Sequence, residues 1–296
     1  MLAIIALFIY FISILLFLMN GKQVDSITIV GQTWTSPNIN TYMIWYHLTG
    51  FIWAYMFMMG ISTVTIAGAV GEFYWLADKN SRVGRLPILR SLYRAFRYHL
   101  GSIAIGSLLI TIVEVIRIML YQLQRQVAKS KIPALQYLVA AAQCCMKCVE
   151  VILKFVNRNA YIYIAIKGKS FFYSAGAATA LLLRNAAKLV AVNFVADFCL
   201  FLSKLVVAGI LSFASYAFLL RYPTYFNVQN LFVPVCFVAF EGFVISAILF
   251  SAYHIAIDTV FLSVLEDLDK NDGSPGRPYF MTEGMRTILG KKVILN

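Results

Sequence analysis

Apolar residues run unbroken for the width of a bilayer at about 1–19, 42–70, 100–121, 190–220 and 231–261, and polar residues collect between these stretches. A crossing needs about 20 apolar residues in a helix, because each backbone N–H and C=O must find its partner within the segment. The pattern predicts an all-α integral membrane protein, a polytopic helical bundle with five clear transmembrane helices, forming a single membrane domain over 1–296. The first stretch lacks a basic leader and a small-residue cleavage site, so it reads as a span and not a secretory signal. Its abrupt start is what a truncated gene product, or the second half of something larger, would show.

Between the spans the pattern changes. Gly21–Thr41 is polar, with Gly31, Pro37, Asn38 and Asn40, and reads as a short outer loop. Thr63, Ala67 and Gly71 put small residues at i, i+4 spacing on the second span, where another helix can approach closely. In Pro87–Arg97, Leu89, Leu92, Tyr93 and Phe96 oppose Arg90, Arg94 and Arg97, which predicts an amphipathic helix lying on the inner leaflet.

Charge orients the spans. The net charge is +12, but the basic residues sit in the connections and not along one soluble face, so nucleic acid is excluded as a partner. Lys79–Arg97 holds six basic residues, and Arg125–Lys188 holds ten with one acid, Glu150. The positive-inside rule places both regions in the cytoplasm and the charge-poor 21–41 and 221–230 outside. Parity then requires a sixth membrane segment, for which Ala134–Ile166 is the candidate despite Lys147, Glu150, Lys154 and Arg158. The alternative keeps the basic region 122–189 cytoplasmic as amphipathic helices and makes one earlier segment re-entrant; the ten basic residues favour it. In both readings the tail 266–296 is cytoplasmic.

Candidate chemistry is sparse. No H-E-x-x-H, G-x-S-x-G, phosphate loop or aspartate array stands in the chain, so it reads as no enzyme, without cofactor or metal. Cys144, Cys145 and Cys148 lack a nearby fourth ligand for zinc; beside a membrane they are candidates for S-palmitoylation, or simply small residues of a helix. An uncompensated charge at mid-bilayer costs about 2.5–3.5 kcal/mol. Glu114 and Arg117 are three apart and suit a pair on one helix face. Asp197 and Lys204 share a face of the fourth span. Glu241 stands alone in the fifth, with His254 and Asp258 towards its inner end, and is expected to face a cavity or a partner. On the second span Tyr42, Trp45, Tyr46, Trp53 and Phe57 fall on one side. Tyr42, Trp45 and Tyr46 suit the interfacial aromatic belt, but Trp53 lies about 16 Å deeper by helical rise. Rings at that depth suit either core packing or a quaternary ammonium ligand, attracted by about 2 kcal/mol when desolvated.

Six blocks carry a resemblance: Tyr46–Trp53 (YHLTGFIW), Ala67–Val70 (AGAV), Arg97–Ser102 (RYHLGS), Asn157–Tyr161 (NRNAY), Asp258–Leu262 (DTVFL), and Asn271–Ser274 (NDGS) with Arg277–Tyr279 (RPY). In this order they make the chain resemble the C-terminal half of the choline transporter-like family. The resemblance implies a carrier of choline, with ethanolamine as a related substrate, in the plasma membrane or an organelle. It also implies no ATP hydrolysis, proton coupling in some members, about ten spans and both termini cytoplasmic. The family's first half, with its large outer loop, is missing, so the partners expected are the lipid bilayer, the small cation, and the missing N-terminal half or a second copy. Relatives often carry Gln just before the AGAV block, where this chain has Ser62 and Thr63, and their cysteine run is fuller. On this reading Trp53, with Tyr46 and Trp45, holds the trimethylammonium head, Glu241 supplies compensating charge, and Asp197 or Asp258 sets a gate or coupling. The rival reading is a truncated, non-transporting paralogue that regulates or scaffolds a full-length carrier.

Overall fold

In the computed structural model, residues 2–20, 26–29, 32–35, 39–76, 86–128, 133–221 and 230–288 are described. Nine α-helices and one hairpin are found among them: α1 (Leu2–Asn20), β1 (Ser26–Ile29), β2 (Gln32–Thr35), α2 (Ile39–Tyr74), α3 (Pro87–Arg94), α4 (Leu100–Val127), α5 (Pro133–Lys167), α6 (Phe171–Arg184), α7 (Ala186–Arg221), α8 (Phe232–Lys270) and α9 (Glu283–Ile288). Four helical stretches are long and apolar enough to cross a membrane, namely Thr41–Tyr74, Pro87–Val127, Ala186–Arg221 and Phe232–Lys270. The N-terminal stretch is also helical, but its apolar described part, Ile4–Phe17, is shorter than the others. The helices outrun the apolar cores that announce them, because polar residues at helix ends extend a helix as readily as apolar ones.

Two details differ from expectation. The connection between α1 and α2, expected as a plain loop, contains an antiparallel hairpin that pairs Ser26 with Thr35 and Ile29 with Gln32, while Gly31, Pro37 and Asn38 lie outside the described residues. Alternation in Ser26–Ile29 and Gln32–Thr35 is too short to stand out beside apolar spans. The amphipathic segment Pro87–Arg94 is not a separate helix. It runs through a π-turn at Ala95–His99 directly into α4.

The chain divides into two compact units. The first comprises Met1–Ser62, Tyr93–Tyr161 and Ser170–Ala175. Its packing centres on Gly106 of α4, where an added Cβ would come within 2.5 Å of the Tyr161 hydroxyl and 2.7 Å of the Phe171 ring. Only glycine allows that approach. Tyr161 donates to the Ile103 carbonyl (3.0 Å) and Asn157 to the Gly106 carbonyl (2.5 Å), tying α5 to α4 by hydrogen bonds that lipid cannot replace.

The second unit comprises Thr63–Leu92, Ile162–Lys169 and Gly176–Asn296. Ala67 is wholly buried against a core of Ile162, Tyr163, Leu182, Ile255 and Leu262, so the small-residue stripe of α2 lies where helices meet. Gly168, at φ 67°, ends α5 with its N–H on the Ile164 carbonyl (2.8 Å), a left-handed cap that favours glycine. α7 and α8 lie against each other, with Gly242 facing Ala208 and Leu211.

Candidate functional site

The aromatic face on α2 is present and open. Tyr46 is 80% exposed, Trp53 42%, and Trp45 is half-buried. Phe57, one turn on, sets its ring 6.5 Å from that of Trp53 at 42°. The neighbouring face of α2 docks on α1. His47 stacks on Phe11 at 5.0 Å with its Nε2 3.3 Å from the Phe11 carbonyl, and Phe51 stacks on the same ring at 4.0 Å. By helical phase, using His47 and Phe51 for docking leaves Tyr46 and Trp53 pointing elsewhere. A hollow of about 410 Å³ lined by Ile4, Ile5, Phe8, Phe51 and Tyr55 lies between α1 and α2. Its apolar lining suits hydrocarbon and not a cation, and neither Tyr46 nor Trp53 lines it.

In the second unit, Glu241 of α8 is exposed and its carboxylate meets no partner among the described residues, whereas the adjacent Gly242 is buried against α7. Asp197 does not need Lys204, because its Oδ1 lies 3.0 Å from His254 Nε2 on α8. His254 Nδ1 in turn lies 3.6 Å from Asp258 Oδ1. Both predicted coupling carboxylates therefore converge on one imidazole, which the sequence reading left without a role. The i, i+4 spacing of His254 and Asp258 was the available signal. Trp45, Tyr46 and Trp53 belong to the first unit and Glu241 to the second.

Glu114 and Arg117 correct the expectation of a pair on one helix. Lys154 of α5 reaches Glu114 at 2.6 Å, and Arg117 meets Glu150, which also accepts from Lys154 at 2.6 Å and Lys147 at 3.4 Å. Glu150 is buried, so three basic side chains gather on one acid between α4 and α5. The three clustered cysteines are exposed on α5, and no group of three or more metal-binding side chains occurs among the described residues.

A family model described as plasma-membrane choline transporter matches residues 1–269. Choline transporter-like protein 4 of Danio rerio is 38% identical over 254 residues, 83% of this chain and 35% of its own length. Choline transporter-like protein 1 of Caenorhabditis elegans is 39% identical over 252 residues, 83% of this chain and 33% of its own. Choline transporter-like protein 2 of Bos taurus is 39% identical over 246 residues, 81% and 35% respectively. The chain spans about a third of the length of these relatives. With four apolar helices of membrane-crossing length and a family match over nearly its whole length, the chain belongs to the choline transporter-like family of multi-pass membrane proteins.

Proposed function

We propose that the chain forms part of a carrier that moves choline, or a closely related small cation such as ethanolamine, across the plasma membrane by alternating access without ATP hydrolysis. The observation that carries this reading is the exposed aromatic face of α2, where Trp53 lies about 16 Å along the helix from Tyr42, in a family whose relatives are named for choline. Trp53, Tyr46 and Trp45 hold the cationic head, Glu241 balances its charge, and Asp197 and Asp258 act on the gate or on coupling.

The reading includes a topology of six crossings with the tail in the cytoplasm. Its support is the register of α5 on α4. Tyr161 meets Ile103, Asn157 meets Gly106, Lys154 meets Glu114, Glu150 meets Arg117, and Gln143 donates to the Arg117 carbonyl. The paired stretch of α4, 103–117, is about 21 Å long by helical rise, most of a hydrocarbon core of about 30 Å. Wherever α4 crosses, α5 lies at the same depth in the opposite direction, its charges compensated by those of α4. α6, at 14 residues, is too short to cross. Crossing by α1, α2, α4, α5, α7 and α8 satisfies parity and leaves Lys167, Lys169, Arg184 and Lys188 inside.

Radiolabelled choline uptake in cells stripped of their own carriers, with surface expression verified, tests the function. Saturable uptake competed by unlabelled choline is expected. A second reading, a non-transporting partner of a full-length carrier, is favoured by the exposure of Tyr46, Trp53, Asp197 and Glu241. Good expression without uptake would defeat transport by this chain alone and leave a carrier fragment or that non-transporting partner, which co-expression with the missing half would separate.

A further inference from the structure

The block Asn271–Ser274 with Arg277–Tyr279 has no part in the mechanism so far, and it shapes the chain beyond α8. Gly273 takes φ 84° and donates its N–H to the Arg277 carbonyl (3.0 Å). The Arg277 N–H returns to the Ser274 carbonyl (3.0 Å), and Asp272 Oδ1 accepts from the Ser274 N–H (2.9 Å). The turn reverses the chain, so that residues 278–281 run back to the end of α8.

There they meet Asp267, which is wholly buried. Its Oδ2 accepts from the Phe280 N–H (2.9 Å), the Met281 N–H (3.0 Å) and the Tyr74 hydroxyl at the end of α2 (3.0 Å). Its Oδ1 accepts from Asn271 Nδ2 (2.7 Å). Next to it, buried Glu266 takes Lys167 at the end of α5 (3.1 Å) and Lys270 (2.7 Å), with the Tyr163 hydroxyl at 3.4 Å. The Lys167 ammonium lies 4.6 Å from the centre of the Trp75 ring, and Trp75 packs on Phe280 at 5.3 Å. Met281 closes the cluster, buried with Tyr74 and Val264.

We propose that Asp267 is the positioning residue of a latch: it binds residues 278–281 to the ends of α2 and α8, beside α5, and the chain as described is latched. The proposal rests on the carrier reading for its role as an inner gate. A carrier must separate the inner ends of its helices once per cycle. The ties here are hydrogen bonds, ion pairs and one cation–π contact beside a small apolar cluster, and water can replace the polar ones once the cluster opens. One carboxylate holds both the tail backbone and α2, so losing its bonds frees both at once.

Met281→Cys, in a background with the five native cysteines replaced, reports on the latch in inside-out vesicles through its alkylation rate with a membrane-impermeant maleimide. Alkylation is expected to be slow in this parent and faster by about tenfold or more with Asp267→Asn, since one charge-assisted hydrogen bond shifts an equilibrium by that order. Tyr74→Phe, which keeps the carboxylate, is expected to fall between, and covers the case in which Asp267→Asn fails to fold. Adding choline chloride is expected to speed alkylation of the parent. An unchanged rate in both variants would overturn the latch whether or not the chain transports. A faster rate in the variants with no response to choline, in a chain that does take up choline, would reduce Asp267 to a structural tie and overturn the gate. Absence of uptake by the unmodified chain would defeat transport by this chain alone and leave the alkylation result to decide the latch.

Discussion

Glu150 carries a cost that its sequence surroundings hide. It is buried on α5, where Arg117, Lys147 and Lys154 gather on it. Removing one partner of such a cluster leaves charge uncompensated in a low-dielectric setting, so Glu150→Ala is expected to cost about 3–5 kcal/mol. A large fall in the detergent-solubilised melting temperature checks this, with Lys147→Ala as the milder control because its exposed side chain contributes less. Gly106→Ala is expected to destabilise by about 1–3 kcal/mol through overpacking against Tyr161 and Phe171, read by the same melt. At Glu266, burial pushes the carboxyl up, but the hydrogen bonds from Lys270 and Lys167 outweigh it and hold the group below its ordinary value. A depressed carboxyl stabilises the fold above its unfolded value and loses that contribution as pH falls through the folded one. The stability gap between the unmodified chain and Glu266→Gln is therefore expected to be constant near neutrality and to close from about pH 4.5 downward. Which residues carry charge inside the helices was legible in the sequence; which partner each meets was not. Spacing finds neighbours on one helix, and Glu114, Arg117 and Asp197 find theirs on another.

Among the helices, α5 is the one whose membrane crossing rests on the proposed topology and not on hydropathy. Its apolar run is interrupted by four charged residues, yet it is one continuous helix of 35 residues whose charges are met by α4. Composition counts the charges and misses the compensation. The topology predicts that a cysteine replacing Leu135 is labelled by an impermeant reagent from outside intact cells, and one replacing Lys169 only after permeabilisation. Labelling of both from the same side would return α5 to a surface position. The crossing also bears on Cys144, Cys145 and Cys148, which then lie on the outer half of α5, away from cytoplasmic modification. The four strongly apolar helices were read correctly because unbroken hydrophobicity needs no tertiary partner to be recognised. The hairpin and the fusion of α3 with α4 were missed because both depend on local backbone geometry in segments with mixed polarity.

For the molecule as a whole, the proposed carrier role makes separate demands on the aromatic face of the first unit and on the exposed acids of the second. Trp53→Ala is expected to raise the KM for choline by roughly thirtyfold if about 2 kcal/mol of cation–π attraction is lost, with little change in surface expression. Unchanged KM in that variant and in Glu241→Gln would remove both residues from the site. The family was legible because its six blocks combine turn residues with helix-contact residues, each demanded by a different part of the fold. Gly273 permits the turn, Asn157 and Tyr161 bind α4, and the YHLTGFIW block supplies His47 and Phe51 to α1.

The π-turn at Ala95–His99 sets a mechanical relation along a single rod. Five residues wound at the wider pitch fall behind an α-helix by roughly one residue, a rotation of about 100°. Within the first unit, Arg94 and the buried face of α4 at Ile103, Gly106, Ser107 and Ile110 are thus offset by a wound-in residue and not by the sequence interval alone. Rewinding those five residues as α-helix would turn Arg94 about the axis of α4 by that angle, so a local change of winding at Ala95–His99 would re-aim a charge without moving the buried face.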